Sequence, residues 1–191
     1  MVFNGEEILA TIGWDAQSLA VGAKRGPIAI LYGEGKGELA NQAIAEVTYA
    51  LRQRGKALAG ALPINKARDD RCRCDMELED LRTGKRIPIS EDRGADARGC
   101  KLDMSGLEEA VGLSLSAVAC GADALIINRF GKAEAEGRGF RAAIAAAFER
   151  GIPVILAVGS SNIKSWQEFA GDVGVIYSLA DLEESNRTAA E

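Results

Sequence analysis

Residues 27–37, PIAILYGEGKG, decide the fold class of this chain. The first half of the stretch is a short apolar run that ends in glycine, which is typical of a strand buried on both faces of a parallel sheet. Beyond the turn, apolar side chains recur at helical spacing until Gly55, and they are Ala40, Ala43, Ile44, Val47 and Leu51. The sequence therefore predicts a strand, a glycine-rich turn and a helix in direct succession.

The rest of the chain repeats this alternation. Apolar runs predict further strands at residues 57–64, 123–128, 152–158 and 173–177. Helices are predicted at residues 140–150, from a capping box of Ser105 and Glu108 to about Ala119, and from a cap at Asn162 to Phe169. Residues 72–81 and 85–89 flank a Thr-Gly turn and predict an antiparallel hairpin. We therefore expect an α/β fold, a three-layer sandwich with a mainly parallel sheet and an inserted antiparallel hairpin.

Three segments are expected along the chain. Residues 1–26 form an N-terminal arm, in which Asn4 caps a short helix. Residues 27–180 form the α/β domain. Residues 181–191 form an acidic tail, which is either frayed or a short surface helix. The sequence gives no role for the arm.

The amino-acid composition argues against several classes of function. A chain of 191 residues can bury the core of one domain, and its net charge of −5 argues against binding nucleic acid or an anionic membrane. The absence of histidine excludes histidine-based triads and histidine-ligated zinc. No apolar run reaches the roughly 18 residues of a membrane span, and the first residues lack the order of a signal peptide. We expect a cytoplasmic protein with reduced thiols, and a homo-oligomer stays open.

The glycine-rich turn is the first candidate ligand site. In an open α/β sheet, the turn after the first strand is where backbone N–H groups meet a phosphate. Lys36 adds a cation, but Glu38 and Leu39 stand where a phosphate loop carries its magnesium-binding hydroxyl. Anion binding and a tight turn without a ligand therefore both stay open. The turn consists of Gly33, Glu34, Gly35, Lys36 and Gly37.

The end of the strand at 123–128 is the second candidate ligand site. A hydrolysing phosphate-loop enzyme carries an acidic magnesium ligand there, whereas this chain has Asn128 and Arg129. Magnesium-dependent hydrolysis is therefore disfavoured, and Arg129 with Lys132 is expected to bind an anion directly. Glu134 and Glu136 could replace the missing acids, although on a polar loop they are expected to be solvated.

The cysteines form a third candidate. Cys72, Cys74 and Cys100 could be soft metal ligands with Asp75 as a fourth, although a spacing of one residue is not that of zinc knuckles. Alternate residues share a strand face, so packing in the core is the alternative, and Cys120 is also expected to pack. The neighbouring arginines suit a tetrahedral oxyanion or are solvated surface charges, and they are Arg68, Arg71, Arg73, Arg93 and Arg98.

Three stretches carry a family resemblance: DRCRCDMELEDLRTGKRIPIS, ARGCKLD and LIINRFGKAEAEG. From about Pro27 to Tyr177 the chain resembles the bacterial domain-of-unknown-function family 2478. Its order of elements is more distantly similar to THEP-type nucleoside-triphosphatases. The resemblance implies a phosphate-loop fold, with the loop at residues 33–37 and the magnesium site at Asn128 and Arg129, which depart from the triphosphatase pattern. It also suggests a role in molybdenum handling, because members of the family are often found beside molybdate-transport genes.

These observations favour a protein that binds a nucleotide (ATP or GTP) or an oxyanion (molybdate or tungstate) without turnover. The first alternative is a metal or metal-oxyanion protein that uses the three cysteines. The second is a weak nucleoside-triphosphatase. The ligand-binding residues expected for the leading interpretation are the turn at residues 33–37 with Asn128, Arg129, Lys132 and Arg98.

Overall fold

A computed structural model describes residues 3–14, 26–65, 76–91 and 101–188. Within these ranges seven strands form one sheet, and two short strands, β5 (Ser90–Glu91) and β6 (Lys101–Leu102), pair separately. Five strands of the sheet are parallel, and they are β1 (Ile28–Tyr32), β2 (Leu58–Asn65), β7 (Ala124–Phe130), β8 (Val154–Gly159) and β9 (Val175–Ser178). An antiparallel hairpin, β3 (Met76–Asp80) and β4 (Arg86–Pro88), extends the edge at β2. The order is β4-β3-β2-β7-β8-β1-β9.

Helices cover both faces of the sheet. One face packs on α1 (Gly5–Thr11), α2 (Gly37–Gln53) and α7 (Leu179–Thr188), and the other on α3 (Met104–Ala119), α5 (Arg141–Glu149) and α6 (Ile163–Ala170). A short helix α4 (Lys132–Ala135) follows β7. Alternate residues of the central strands enter opposite core layers, as with Leu125 and Ile126 of β7. The predicted three-layer α/β sandwich is confirmed, and its fold is of the phosphate-loop nucleoside-triphosphatase-like type.

One of the three predicted helix caps is wrong. Asn4 caps α1 as expected, because its Oδ1 accepts a hydrogen bond from the Glu6 N–H at 3.0 Å. The helix α3 is capped by Asp103, whose Oδ1 accepts from the Ser105 N–H at 2.9 Å, so Ser105 lies inside the helix. Asn162 ends a 3-10 turn and occupies the N-cap position of α6 as expected, although its side chain makes no capping hydrogen bond.

The two ends of the described chain pack together. The helix α1 lies against α2 and α7, and the Asn4 N–H donates to Asn186 Oδ1 at 2.9 Å. The helix α7 includes residues 181–188 of the predicted tail, and Leu179 and Leu182 are buried because they share one face of this helix. The division of the chain into arm, domain and tail stays a prediction. None of the helices in the described ranges is long and apolar enough to cross a membrane.

Candidate anion-binding site

The predicted turn, here named the glycine loop (residues 33–37), joins β1 to α2. The Lys36 N–H donates to the Gly33 carbonyl at 3.2 Å, which closes a tight turn. Gly35 has φ +70°, a conformation that glycine adopts without the steric cost of a side chain. The 17-residue helix α2 then begins at Gly37, so its free N-terminal N–H groups lie beside the loop.

A cavity of about 600 Å³ opens at this loop. One side is the glycine loop with Tyr32, and the other is Gly159, Ser160 and Ser161 at the end of β8. The two sides meet because β8 pairs with β1, with Gly159 opposite Tyr32. Both serines are exposed, so their hydroxyls add hydrogen-bonding groups to the backbone amides of the loop.

Sequence reasoning missed these serines. The apolar run of β8 followed by Gly-Ser-Ser was a usable signal, since it places two hydroxyls after a buried strand. Their position beside the glycine loop depends on the strand order, in which β8 lies between β7 and β1.

Arg129 connects β7 to the start of α2. The strand register shifts between Ile127 and Arg129, which indicates a bulge at Asn128. The Arg129 Nε and Nη2 donate to Asn41 Oδ1 at 3.1 and 2.7 Å, and Nη2 also donates to the Gly37 carbonyl at 2.8 Å. A Cβ at Gly37 would lie 3.0 Å from Nη2, so glycine leaves the room that this contact needs. The guanidinium therefore lies directly behind the glycine loop.

The other two predicted cations, Lys36 and Lys132, each pair with a carboxylate. Lys36 Nζ is 3.9 Å from Glu183 Oε1 on α7, although the Lys36 side chain is half exposed. Lys132 Nζ is 3.7 Å from Glu136 Oε1, and 89% of the Lys132 side chain is exposed. Asn128, Arg129 and Lys132 together line a second cavity of about 230 Å³, whose other walls are mainly apolar. The structure therefore brings Arg129, but not Lys132, to the glycine loop.

Glu134 is not the solvated side chain that the sequence suggests. It is 5% exposed, its Oε2 accepts from the Gly131 N–H at 2.9 Å, and its Oε1 accepts from the Phe140 N–H at 3.0 Å. Both carboxylate oxygens thus hold the backbone of the loop around α4. Glu136 is exposed and pairs with Arg138 and Lys132.

The predicted cysteine cluster falls on residues that the structure does not describe. Cys72, Cys74, Cys100 and Asp75 lie outside the described ranges, as do Arg98 and the other flanking arginines. Within those ranges no group of three Cys, Asp or Glu side chains could hold a metal ion. Cys120 follows α3 and is exposed, so the prediction that it packs is wrong.

The residues that flank positions 66–75 and 92–100 lie close together. Asn65 pairs with Met76 across β2 and β3, and Glu91 pairs with Lys101 across β5 and β6. The Met76 N–H donates to Ser90 Oγ at 3.3 Å, which joins the two pairs.

Comparisons with known proteins identify a family and one relative. The model of a family described as protein of unknown function (DUF2478) matches residues 28–184. The chain is 37% identical over 131 residues to the molybdenum import ATP-binding protein ModC 2 of Bradyrhizobium diazoefficiens. The match covers 69% of this chain and 15% of that protein, so the chain spans only a small part of the length of its relative. No solved structure matches the chain significantly.

Proposed function

The chain belongs to the DUF2478 family, and from this premise we propose that it binds a phosphate-like anion at the glycine loop without turnover. The ligand is a nucleotide such as ATP or GTP, or an oxyanion such as molybdate or tungstate. The observation that carries the proposal is the cavity of about 600 Å³ between the glycine loop and Ser160–Ser161, at the carboxyl ends of β1 and β8. Ligands of open α/β sheets bind at this edge.

The groups around this cavity suit a tetrahedral oxyanion. The N-terminus of α2 supplies free backbone N–H groups and the positive end of the helix dipole. Ser160 and Ser161 add hydroxyl donors, and the guanidinium of Arg129 lies behind Gly37 at 2.8 Å from its carbonyl. Hydrogen bonds to a charged acceptor are stronger than those between neutral groups, so a few such donors are enough for specific binding.

The named relative supports both ligand classes. Its name joins ATP binding to molybdenum import, so a nucleotide and molybdate are the two ligands that it suggests. We extend this link to the present chain and propose a role in molybdenum handling.

Binding without hydrolysis follows from the residues at the two magnesium positions. Phosphate-loop hydrolases use a loop hydroxyl and a strand-end acid to hold the metal. Here Glu38 and Leu39 follow the glycine loop, and Asn128 and Arg129 end β7. Glu134 could not readily replace the acid, because both of its oxygens already accept backbone hydrogen bonds.

Gly35→Ala tests the proposal against a matched control, Gly84→Ala. Gly35 and Gly84 have φ +70° and +72°, and a Cβ at either would meet nothing within 4 Å. Each substitution is therefore expected to cost about 1–2 kcal/mol from backbone strain alone. Gly84 lies in the β3–β4 turn, at the edge of the sheet opposite the glycine loop.

Calorimetric titration with ATP, GTP, pyrophosphate, molybdate and tungstate measures the outcome. We expect wild type and Gly84→Ala to bind one of these ligands alike, and Gly35→Ala to bind it about tenfold or more weakly. A turn without a ligand predicts no binding at millimolar concentration. That result, or equal affinities for the two variants, would refute the proposed site.

A further inference from the structure

We propose that the guanidinium of Arg129 takes the place of a divalent cation at the glycine loop, so that the anion binds without a metal. This inference rests on the proposed function and adds to it the kind of charge that holds the ligand. Its consequence is that the protein selects the free anion rather than the magnesium complex. That property would separate it from phosphate-loop proteins that bind a nucleotide together with magnesium.

Arg129, at the expected metal position, does not fit magnesium. Mg²⁺ is coordinated by oxygen atoms and usually needs one or two carboxylates in addition to the ligand phosphates. Arg129 offers only N–H donors and a positive charge, and both repel a cation. Glu38 is the carboxylate of the first turn of α2, and its Oε2 accepts a hydrogen bond from Asn41 Nδ2 at 3.0 Å.

Arg129 is held by neutral groups. Its hydrogen-bond acceptors in the described ranges are the Gly37 carbonyl and Asn41 Oδ1, and its guanidinium carbon lies 5.4 Å from the centre of the Tyr32 ring. A carbonyl, an amide and an aromatic face orient a guanidinium without neutralising it. The positive charge at this position therefore remains uncompensated by these contacts.

The other two cations proposed for the site differ in this respect. Lys36 pairs with Glu183, and Lys132 pairs with Glu136. No carboxylate in the described ranges pairs with Arg129, although its side chain is partly buried. A partly buried charge without a counterion is costly, so binding of an anion nearby is favoured.

Arg129 also carries N–H groups that no described residue accepts. A guanidinium carries five N–H groups, and those on Nε and Nη2 of Arg129 face Asn41 and Gly37. The Nη1 group has no acceptor among the described residues, so its two N–H groups carry positive charge that these contacts do not offset. Gly37 itself lines the cavity, so the charge lies directly behind the cavity wall.

Asn41 acts as a positioning residue for this charge. Its Oδ1 accepts from both Nε and Nη2 of Arg129, and its Nδ2 donates to Glu38, which fixes the orientation of the amide. An aspartate at this position would keep the acceptor that faces Arg129 and neutralise the guanidinium, and it would lose the donor that faces Glu38. Asn41→Asp thus neutralises the positive charge while Arg129 itself is kept.

The test is calorimetric titration of the full chain with pyrophosphate, in EDTA and in excess Mg²⁺. We expect binding in EDTA that is at least as tight as in Mg²⁺. Asn41→Asp should weaken binding in EDTA by about tenfold or more, because it supplies a competing counterion. Arg129→Lys should also weaken it, since an ammonium cannot bind Asn41 and Gly37 with the planar geometry of a guanidinium and so does not hold the charge in the same place.

Gln53→Glu is the matched control. It places the same added charge on the same helix, but twelve residues away, which is about 18 Å at 1.5 Å per residue. That distance is roughly twice the screening length at physiological salt, so pyrophosphate affinity should not change. Gln53 is exposed at the end of α2, and the substitution creates no new burial.

Each outcome decides a different question. Binding that requires Mg²⁺ overturns the inference and leaves the proposed function standing, whereas no binding in either condition overturns the proposed function itself. Equal affinities for Asn41→Asp and Gln53→Glu overturn the role of Arg129. Should Asn41→Asp fail to fold by circular dichroism, the comparison of EDTA with Mg²⁺ in wild type still decides the question.

Discussion

Replacing Glu134 by glutamine tests whether its carboxylate stabilises the loop around α4. The two oxygens of Glu134 accept the Gly131 and Phe140 N–H groups at 2.9 and 3.0 Å in a buried position. Glutamine keeps one acceptor and turns the other into a donor that faces a backbone N–H. A hydrogen bond to a charged group contributes about 1.5–3 kcal/mol, and the bond that remains becomes a weaker neutral one.

The expected loss in free energy of unfolding is therefore about 3 kcal/mol. For a domain of this size, each kcal/mol lowers the melting temperature by roughly 2–4 °C, so Glu134→Gln should melt about 6–12 °C lower. Urea denaturation followed by circular dichroism measures the free energy directly. The slope of the transition should stay the same, since the surface exposed on unfolding does not change.

Glu136→Gln is the control in the same loop. Glu136 is exposed and pairs only with surface cations, so its loss should change the free energy of unfolding by no more than about 1 kcal/mol. If the two glutamine variants are equally stable, the two backbone hydrogen bonds of Glu134 do not stabilise the loop and the reasoning fails.

The same variants address hydrolysis. The interpretation of the chain as a weak nucleoside-triphosphatase, with Glu134 or Glu136 in place of the missing acids, stays a prediction. Magnesium-dependent phosphate release that survives in the double variant, measured below its melting temperature, would reject those roles. Absence of release from wild type would reject the activity.

Two further predictions concern the same loop and the cysteines. A Cβ at Gly139 would lie 2.2 Å from Glu134 Oε1, whereas one at Gly137 would meet nothing within 4 Å, and both glycines have positive φ. Thermal melting should therefore show Gly139→Ala to be the less stable variant, and equal melting temperatures would contradict the position of the carboxylate. For the metal alternative, elemental analysis of protein purified without chelator should find a metal that is lost when the three predicted cysteine ligands become serine. The metal should be kept in Cys120→Ser, and metal-free wild type would reject the alternative.

The fold was accessible from the sequence because its core strands are short apolar runs and its helices have one apolar face. The strand at 123–128 and the helix that follows the glycine loop both lie where their periodicity predicts them. The N-cap of α3 was harder to predict, since Asp103 and Ser105 are both good capping residues and lie two positions apart. The structure selects Asp103, because its carbonyl and side chain both accept from the first turn of α3.

Some residues of the candidate site were likewise predictable from the sequence and others were not. The positions of the glycine loop and of the end of β7 were predictable, because strand ends follow from local pattern. Ser160 and Ser161 were not, because their proximity to the loop depends on which strands are neighbours. Glu134 was misjudged, because its partners are backbone N–H groups, which sequence patterns do not show.

The charges at the glycine loop show most clearly why spacing alone does not define a binding site. Lys36 occupies the position in the turn where a phosphate-binding lysine is expected, yet its ammonium group pairs with Glu183 on α7. Arg129 lies far from the loop in sequence, yet its guanidinium contacts Gly37 and, among the residues that the structure describes, has only neutral partners. Affinity for an anion depends on charge that is not already compensated. Since that balance is set by the packing of α7 and β7 rather than by the motif, Arg129 is the cation to which anion binding at this loop should be most sensitive.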